Sequence, residues 1–200
     1  NLTRLLQAIK AQTHSSFEVI FVNDHSTDDS LNLLTHLMNG CKSFPFKTIS
    51  LKESQGKKSA IAKGIAQSSG DIIVTTDADC WFGENWLKAM TTSFEKPNIQ
   101  MVTGPVVLEG FSFFQKLQRV EFGAVLASSA ALIGLGKPTM ANGANLAYRR
   151  KVFSEVEGFT GIEQTPSGDD ELLLMKITKR YPEGLVFAKQ KEAMVHTAAL

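Results

Sequence analysis

The ten residues 71–80, DIIVTTDADC, constrain this chain more than any other stretch. A β-rich run, Ile72-Ile73-Val74-Thr75-Thr76, ends in two carboxylates, Asp77 and Asp79, spaced i, i+2. Alternate side chains of an extended backbone point the same way, so both acids face one spot just past the carboxyl end of a buried strand. Ligands of open α/β sheets bind at that end. Two carboxylates held together near a core are costly without a cation between them. Two hard oxygen ligands suit Mg²⁺ or Mn²⁺ holding a diphosphate. The plainer reading of the triplet is a polar turn.

The rest of the chain supports an α/β domain around that strand. Residues 2–11 carry apolar side chains at helical spacing, and 17–23 read as a strand. Ser26-Thr27-Asp28-Asp29 opens a helix that stops at Asn39-Gly40. A second strand is expected over 46–51, a helix over 57–67 and the acidic strand from 72. Further helices are expected over 84–94, 112–133 and 150–156, with one of about a dozen residues from Asp169. Strands are expected over 100–107 and 185–188, with a strand or turn at 140–148. Strands alternating with helices argue for a mostly parallel, Rossmann-like sheet covered on both faces, in one domain.

Composition excludes several classes. A net charge of +1 over 200 residues lacks the basic excess of a nucleic-acid-binding surface. Cys41 and Cys80 are too few for a disulfide framework and suit a reducing, cytoplasmic setting. Cys80 reads as a small buried filler. The longest apolar stretch, 123–136, is too short to cross a bilayer. It reads as a core helix or an interfacial segment, with Phe111, Phe113 and Phe114 just ahead of it.

Five places could carry chemistry. Asp24, one residue past a strand, can accept hydrogen bonds from a base N–H or a ribose hydroxyl; it also suits a turn or a helix cap. Gly56-Lys57-Lys58 opens a helix whose N-terminus and lysines could meet an anion. Asp77 and Asp79 form the cation pair. Gly168-Asp169-Asp170-Glu171 begins a helix, where acids suit the macrodipole and where one carboxylate could serve as a general base. His196 could add a third metal ligand, or simply pack.

In order, Val-Asn-Asp-His-Ser-Thr-Asp (22–28), Gly-Lys-Lys-Ser-Ala-Ile-Ala-Lys-Gly-Ile (56–65), Asp-Ala-Asp (77–79), Asn-Gly-Ala-Asn-Leu-Ala-Tyr-Arg-Arg (142–150) and Gly-Asp-Asp-Glu-Leu (168–172) resemble the family 2 glycosyltransferases with the GT-A fold. The likeness implies an inverting transferase using a UDP- or GDP-sugar donor and Mg²⁺ or Mn²⁺. It implies nucleotide-sugar contacts at Asp24, Lys58, Asp77, Gly143 and Asn145, metal contacts at Asp79 and Asp77, and Asp170 as catalytic base. Asp169 stands where the family more often has Glu. A nucleotide-sugar half over 1–110 and an acceptor and base half over 111–200 follow from the same likeness.

Relatives open with a strand ahead of the first helix, which this chain lacks. Many carry transmembrane helices beyond the last strand. The chain is therefore expected to be a catalytic domain cut from a membrane protein. It would work at the cytoplasmic face of the cell membrane, held there by segments absent from this chain, on a saccharide or lipid-linked acceptor. A haloacid-dehalogenase-type phosphatase also uses a strand ending in Asp-x-Asp, but normally near the start of its domain. A nucleotidyltransferase, or a regulatory domain that binds nucleotide without turnover, would also suit an α/β chain with acids at its strand ends.

Overall fold

The computed structural model describes residues 1–52, 56–161 and 168–199. Helix α1 (Leu2–Lys10) buries Leu5, Leu6 and Ile9 and leads to strand β1 (Val19–Asn23). Then follow α2 (Ser30–Met38), β2 (Phe46–Ser50), α3 (Gly56–Ala66) and β3 (Ile72–Thr75). Past the acidic pair come β4 (Trp81–Phe82), α4 (Trp86–Thr91), β5 (Met101–Thr103) and β6 (Val106–Glu109). The long α5 (Phe113–Gly134) precedes β7 (Leu146–Arg149), α6 (Arg150–Glu155), α7 (Asp169–Arg180), β8 (Leu185–Phe187) and β9 (Val195–Ala198). Part of the loop expected over 158–168 lies outside the described residues.

The α/β class stands, with a refinement in strand sense. The described strands pair β1-β2, β3-β7-β5-β8 and β4-β9-β6. β1/β2, β5/β8 and β6/β9 are parallel, whereas β3/β7, β5/β7 and β4/β9 are antiparallel, so the sheets are mixed rather than mostly parallel. The reversal of β7 matters for function. Thr75 at the carboxyl end of β3 pairs with Leu146 at the start of β7. The residues just before β7 therefore lie beside those just after β3.

The strand expected over 100–107 is broken in two at Gly104-Pro105. Proline cannot donate to a ladder, and a side chain at Gly104 would collide with the buried amide of Asn145. Strands β4 and β9 were not anticipated. β4 has only two residues, too few for a periodicity signal.

Packing fixes the two halves of the site. Leu173, Leu174 and Ile177 of α7 are at most 1% exposed and join Met101, Leu146, Tyr148 and Leu185 in one apolar cluster. Each such burial contributes roughly 1.5–3 kcal/mol. This holds the first turn of α7 near the start of β7. A second cluster joins α1, α2 and α4 to β5, β6 and β9 through Leu6, Met38, Met90, Val102 and Val195.

Two features depart from a closed sandwich. β1 and β3 are only half-buried along their whole lengths, whereas β5 is fully buried. Both line one groove of about 1700 Å³, with α1 and α3 contributing to its walls. Among the described strands β1 pairs only with β2 and β3 only with β7. The core-helix reading of 123–136 is corrected too. Leu126, Ser129 and Ile133 are buried, but the opposite side of α5 is exposed.

Candidate active site

The cleft forms where four chain segments end together. The 3₁₀ turn Gly143–Asn145 sits beside the end of β3, fixed when the Thr75 hydroxyl donates to the Gly143 carbonyl at 2.8 Å. Asp169 and Asp170 open α7, whose preceding residue, Gly168, takes a left-handed conformation (φ 75°). That is a backbone state glycine adopts without steric cost. The N–H of Gly143 donates to Asp170 Oδ2 at 2.7 Å, and the N–H of Glu171 donates to Asp170 Oδ1 at 2.9 Å. The Asp170 carboxylate is thus held at both oxygens by backbone.

Lys57, in the first turn of α3, closes the circle. Its ammonium lies 2.7 Å from Asp77 Oδ1. Gly143 is the floor beneath it. A Cβ placed there would lie 3.4 Å from Lys57 Nζ, 3.5 Å from Asp170 Oδ2 and 3.7 Å from Asp169 Oδ2. Burial works against the charge on Lys57. The Asp77 carboxylate, aided by Asp169 and Asp170, outweighs burial and holds its pKa above the usual lysine value. The lysine is therefore a fixed cation across the neutral range.

Asp24 connects to the same turn of helix. Its Oδ2 accepts the N–H of Gly56 at 2.9 Å, and Gly56 has φ 77°. The loop after β1 is thereby tied to the residue that precedes Lys57. Asp79 leans the other way, accepting the Thr197 hydroxyl on Oδ2 at 2.9 Å. Asp24, through Gly56, and Asp170, across Gly143, thus lie close to Lys57 and its partner Asp77, while Asp79 is held by β9.

Two of the expected residues, Asn145 and His196, are engaged elsewhere, and the expected lysine, Lys58, is more buried than its neighbour. Lys58 is buried, only 9% exposed, and the lysine that meets the carboxylates is its neighbour Lys57. Successive residues of a helix face directions about 100° apart, and only one of the pair can point at β3. Asn145 is fully buried. It spends its amide on the carbonyls of Pro105 and Ala193 and accepts from the Trp86 indole, so it braces the turn instead of lining the cleft. His196 bonds Glu109 through Nδ1 at 2.8 Å and stacks on Trp81. Alternation along β9 sends it away from its neighbour Thr197, the residue that touches Asp79. Sequence reasoning missed Thr197, because a threonine in an unrecognised strand carries no signal.

The fit to a divalent cation follows from the donor set. Among the described residues no group of three or more His, Cys, Asp or Glu could hold a metal. The two acids fall not on an extended strand but in a turn after β3, where the Cys80 N–H donates to the Asp77 carbonyl at 3.2 Å. Two carboxylates there would suit Mg²⁺ or Mn²⁺ when diphosphate oxygens and waters complete the shell. Cys80 contributes no nucleophile. Burial, with the Asp79 and Asp77 carboxylates, pushes its thiol up to about 11.

Comparison with known proteins shows the family and the fold. Residues 1–157 match the model for glycosyl transferase family 2, and the chain belongs to that family. Among solved structures, the mannosyltransferase PcManGT from Pyrobaculum calidifontis, in complex with GDP-Man and Mn²⁺, superposes with a TM-score of 0.77 at 20% identity, covering 98% of this chain and 52% of that one. TarS 1–349 of S. aureus in complex with UDP-GlcNAc gives 0.71 at 16% identity, covering 100% and 55%. These likenesses establish the shared GT-A glycosyltransferase fold. The poly-β-1,6-N-acetyl-D-glucosamine synthase of Staphylococcus epidermidis is 27% identical over 123 residues, 60% of this chain and 29% of that protein. An undecaprenyl-phosphate 4-deoxy-4-formamido-L-arabinose transferase of Pseudomonas syringae pv. syringae is 36% identical over 78 residues, 39% of this chain and 23% of that protein. The matched stretch is under a third of either relative's length.

Proposed function

We propose that this domain moves a sugar from a UDP- or GDP-sugar to an acceptor hydroxyl by a single inverting displacement, with Asp170 as the base. The observation that carries this reading is the convergence of Asp170, Asp169 and Lys57 over Gly143, beside Asp77 at the end of β3. Asp170 takes the proton from the attacking hydroxyl; its two backbone hydrogen bonds fix the carboxylate's direction. Lys57 offsets charge that develops on the departing diphosphate. Asp24 and Asp77 orient the nucleoside end of the donor. Asp77 and Asp79 would hold Mg²⁺ or Mn²⁺, which supplies further neutralisation of the diphosphate.

The relatives' names suggest the setting. One makes a polysaccharide and another is an undecaprenyl-phosphate transferase. A saccharide or lipid-linked acceptor at the cytoplasmic face of a membrane is the corresponding proposal here. No helix among the described residues is long and apolar enough to cross a membrane, and attachment through segments outside this chain is part of the same proposal. The division into a donor half (1–110) and an acceptor half (111–200) belongs to the same reading. Family membership sets the phosphatase and nucleotidyltransferase readings aside.

Asp170→Asn provides the test. Stabilisation by UDP or GDP with Mn²⁺ should persist in thermal melts, while transfer drops by about 10²–10⁴-fold, the usual worth of a positioned base. Unchanged transfer would remove Asp170 from that role. A wild-type chain stabilised by UDP or GDP yet giving no transfer would favour the regulatory-domain reading.

A further inference from the structure

Of the buried polar and charged side chains among the described residues, only Asn145 has no exposure at all. Its Nδ2 donates to the carbonyls of Pro105 and Ala193, each at 2.8 Å, and its Oδ1 accepts the indole N–H of Trp86 at 3.0 Å. Flipping the amide would set N–H against N–H and oxygen against carbonyl, so its orientation is fixed. A leucine would fill a core position with nothing polar to satisfy. The three partners come from three segments. Trp86 opens α4, Pro105 separates β5 from β6, and Ala193 lies two residues ahead of β9.

Both sides of the cleft continue from these segments. Two residues before Asn145, the Gly143 N–H donates to Asp170 and the Gly143 carbonyl accepts the Thr75 hydroxyl. Four residues after Ala193, the Thr197 hydroxyl donates to Asp79. A short route therefore runs from Asp170 through Gly143, Asn145, Ala193 and Thr197 to Asp79. Among the described strands β7 and β9 belong to different sheets, so no ladder of backbone bonds sets one against the other. The Asn145 amide spans that gap. The Pro105 carbonyl reinforces it by also accepting the Val195 N–H at 3.0 Å.

We propose that Asn145 is a positioning residue for sugar transfer, on the roles given above to Asp170 and Asp79. Its amide fixes the turn before β7 against the segment entering β9, and so fixes one carboxylate relative to the other. An in-line displacement needs the base at the acceptor hydroxyl and the cation at the leaving diphosphate, aligned through one carbon. Misplacement by about 1 Å costs about 10²-fold in such a step. Hydrogen bonds hold an angle as well as a distance, whereas apolar burial is non-directional.

Asn145→Leu and Trp86→Phe provide the test. The first removes the amide. The second removes one donor to it and keeps a ring that can stack on Phe82. Both are compared with wild type well below their melting temperatures, with circular dichroism as the check on folding. Asn145→Leu should lower kcat for transfer from a UDP- or GDP-sugar by about 10–100-fold, with the donor KM little changed. Trp86→Phe should lower it by about fivefold, the worth of one neutral hydrogen bond. Mn²⁺ affinity with UDP or GDP present, read by electron paramagnetic resonance, should fall in the same order. Thr197→Val should add nothing to that fall in either background, because the effect reaches Asp79 through Thr197. Should Asn145→Leu fail to fold, Trp86→Phe decides alone. Variants that melt earlier yet keep kcat and Mn²⁺ affinity overturn the proposal and leave Asp170 and Asp79 in their roles. Additive losses with Thr197→Val do the same. A wild-type chain lacking either transfer or nucleotide-dependent Mn²⁺ binding overturns the proposal together with those roles.

Discussion

Gly143 and Asp170 are 27 residues apart in sequence and joined by a 2.7 Å hydrogen bond from backbone amide to carboxylate. The bond links the turn that enters β7 to the first turn of α7. It also leaves the bare Cα of Gly143 facing two carboxylates and an ammonium.

Gly143→Ala tests whether that open floor is used. The added methyl makes only ordinary contacts, at 3.4–3.7 Å. Losing glycine's freedom in the unfolded chain favours the variant by about 0.4–1 kcal/mol. The melting temperature should therefore hold or rise while transfer falls about tenfold or more, as substrate is pushed from its place. A variant with full transfer rates would show that the floor does not touch the reactants.

Lys57 and Lys58 separate cleanly by geometry. Lys57→Gln should weaken nucleotide diphosphate binding by about tenfold, the worth of one charge-assisted hydrogen bond. Lys58→Gln removes a buried side chain and should act on stability instead. Calorimetric titration of both variants with UDP and GDP plus Mn²⁺ checks this; equal losses in binding would undo the distinction.

Much of this architecture could be read from the chain. The helix starts at Leu2, Ser30 and Asp169 and the strand that ends at Thr75, just ahead of Asp77, follow from periodicity and capping residues, which act locally. The antiparallel course of β7 was not legible, because strand direction depends on how α5 and the turn at Gly136 return the chain. Asp24, Asp77, Asp79 and Asp170 could be found as acids at element ends. Which lysine faces Asp77, and that Asn145 turns inward, are set by helix phase and by packing against Trp86 and Pro105. A single sequence does not print those tertiary facts. The run at 123–136 stayed open between a core helix and an interfacial segment, because an apolar run looks the same whether covered or bare.

Glu18 clamps the chain just before β3. Its Oε1 accepts the Ser69 hydroxyl and N–H, both at 2.6 Å, and the Gly70 N–H at 3.2 Å. The Ser69 hydroxyl bond, then the Ser69 amide, lead the causes that pull its pKa below the usual 4.5. A depressed carboxylate stabilises the fold above its unfolded pKa, and that gain is lost as pH falls through the lower folded value. Glu18→Gln should therefore cost stability near pH 7 and show a flatter loss below about pH 4.5 than wild type in urea melts. Parallel curves for the two proteins would contradict the clamp.

Thr197 offers the sharpest test of the cation site, because it touches Asp79 without being a ligand. Its hydroxyl holds Asp79 Oδ2 at 2.9 Å and so sets the direction of the free lone pairs. Partners of ligating carboxylates typically carry about 10–100-fold in metal affinity. Thr197→Val keeps shape and removes the donor, so Mn²⁺ affinity with UDP or GDP present should fall by about tenfold while nucleotide binding without metal is unchanged. Thr197→Ser should restore most of the difference. Electron paramagnetic resonance titration of free Mn²⁺ reads both variants directly. If valine and serine behave like wild type, Asp79 is not oriented by this bond and the placement of the cation against it fails.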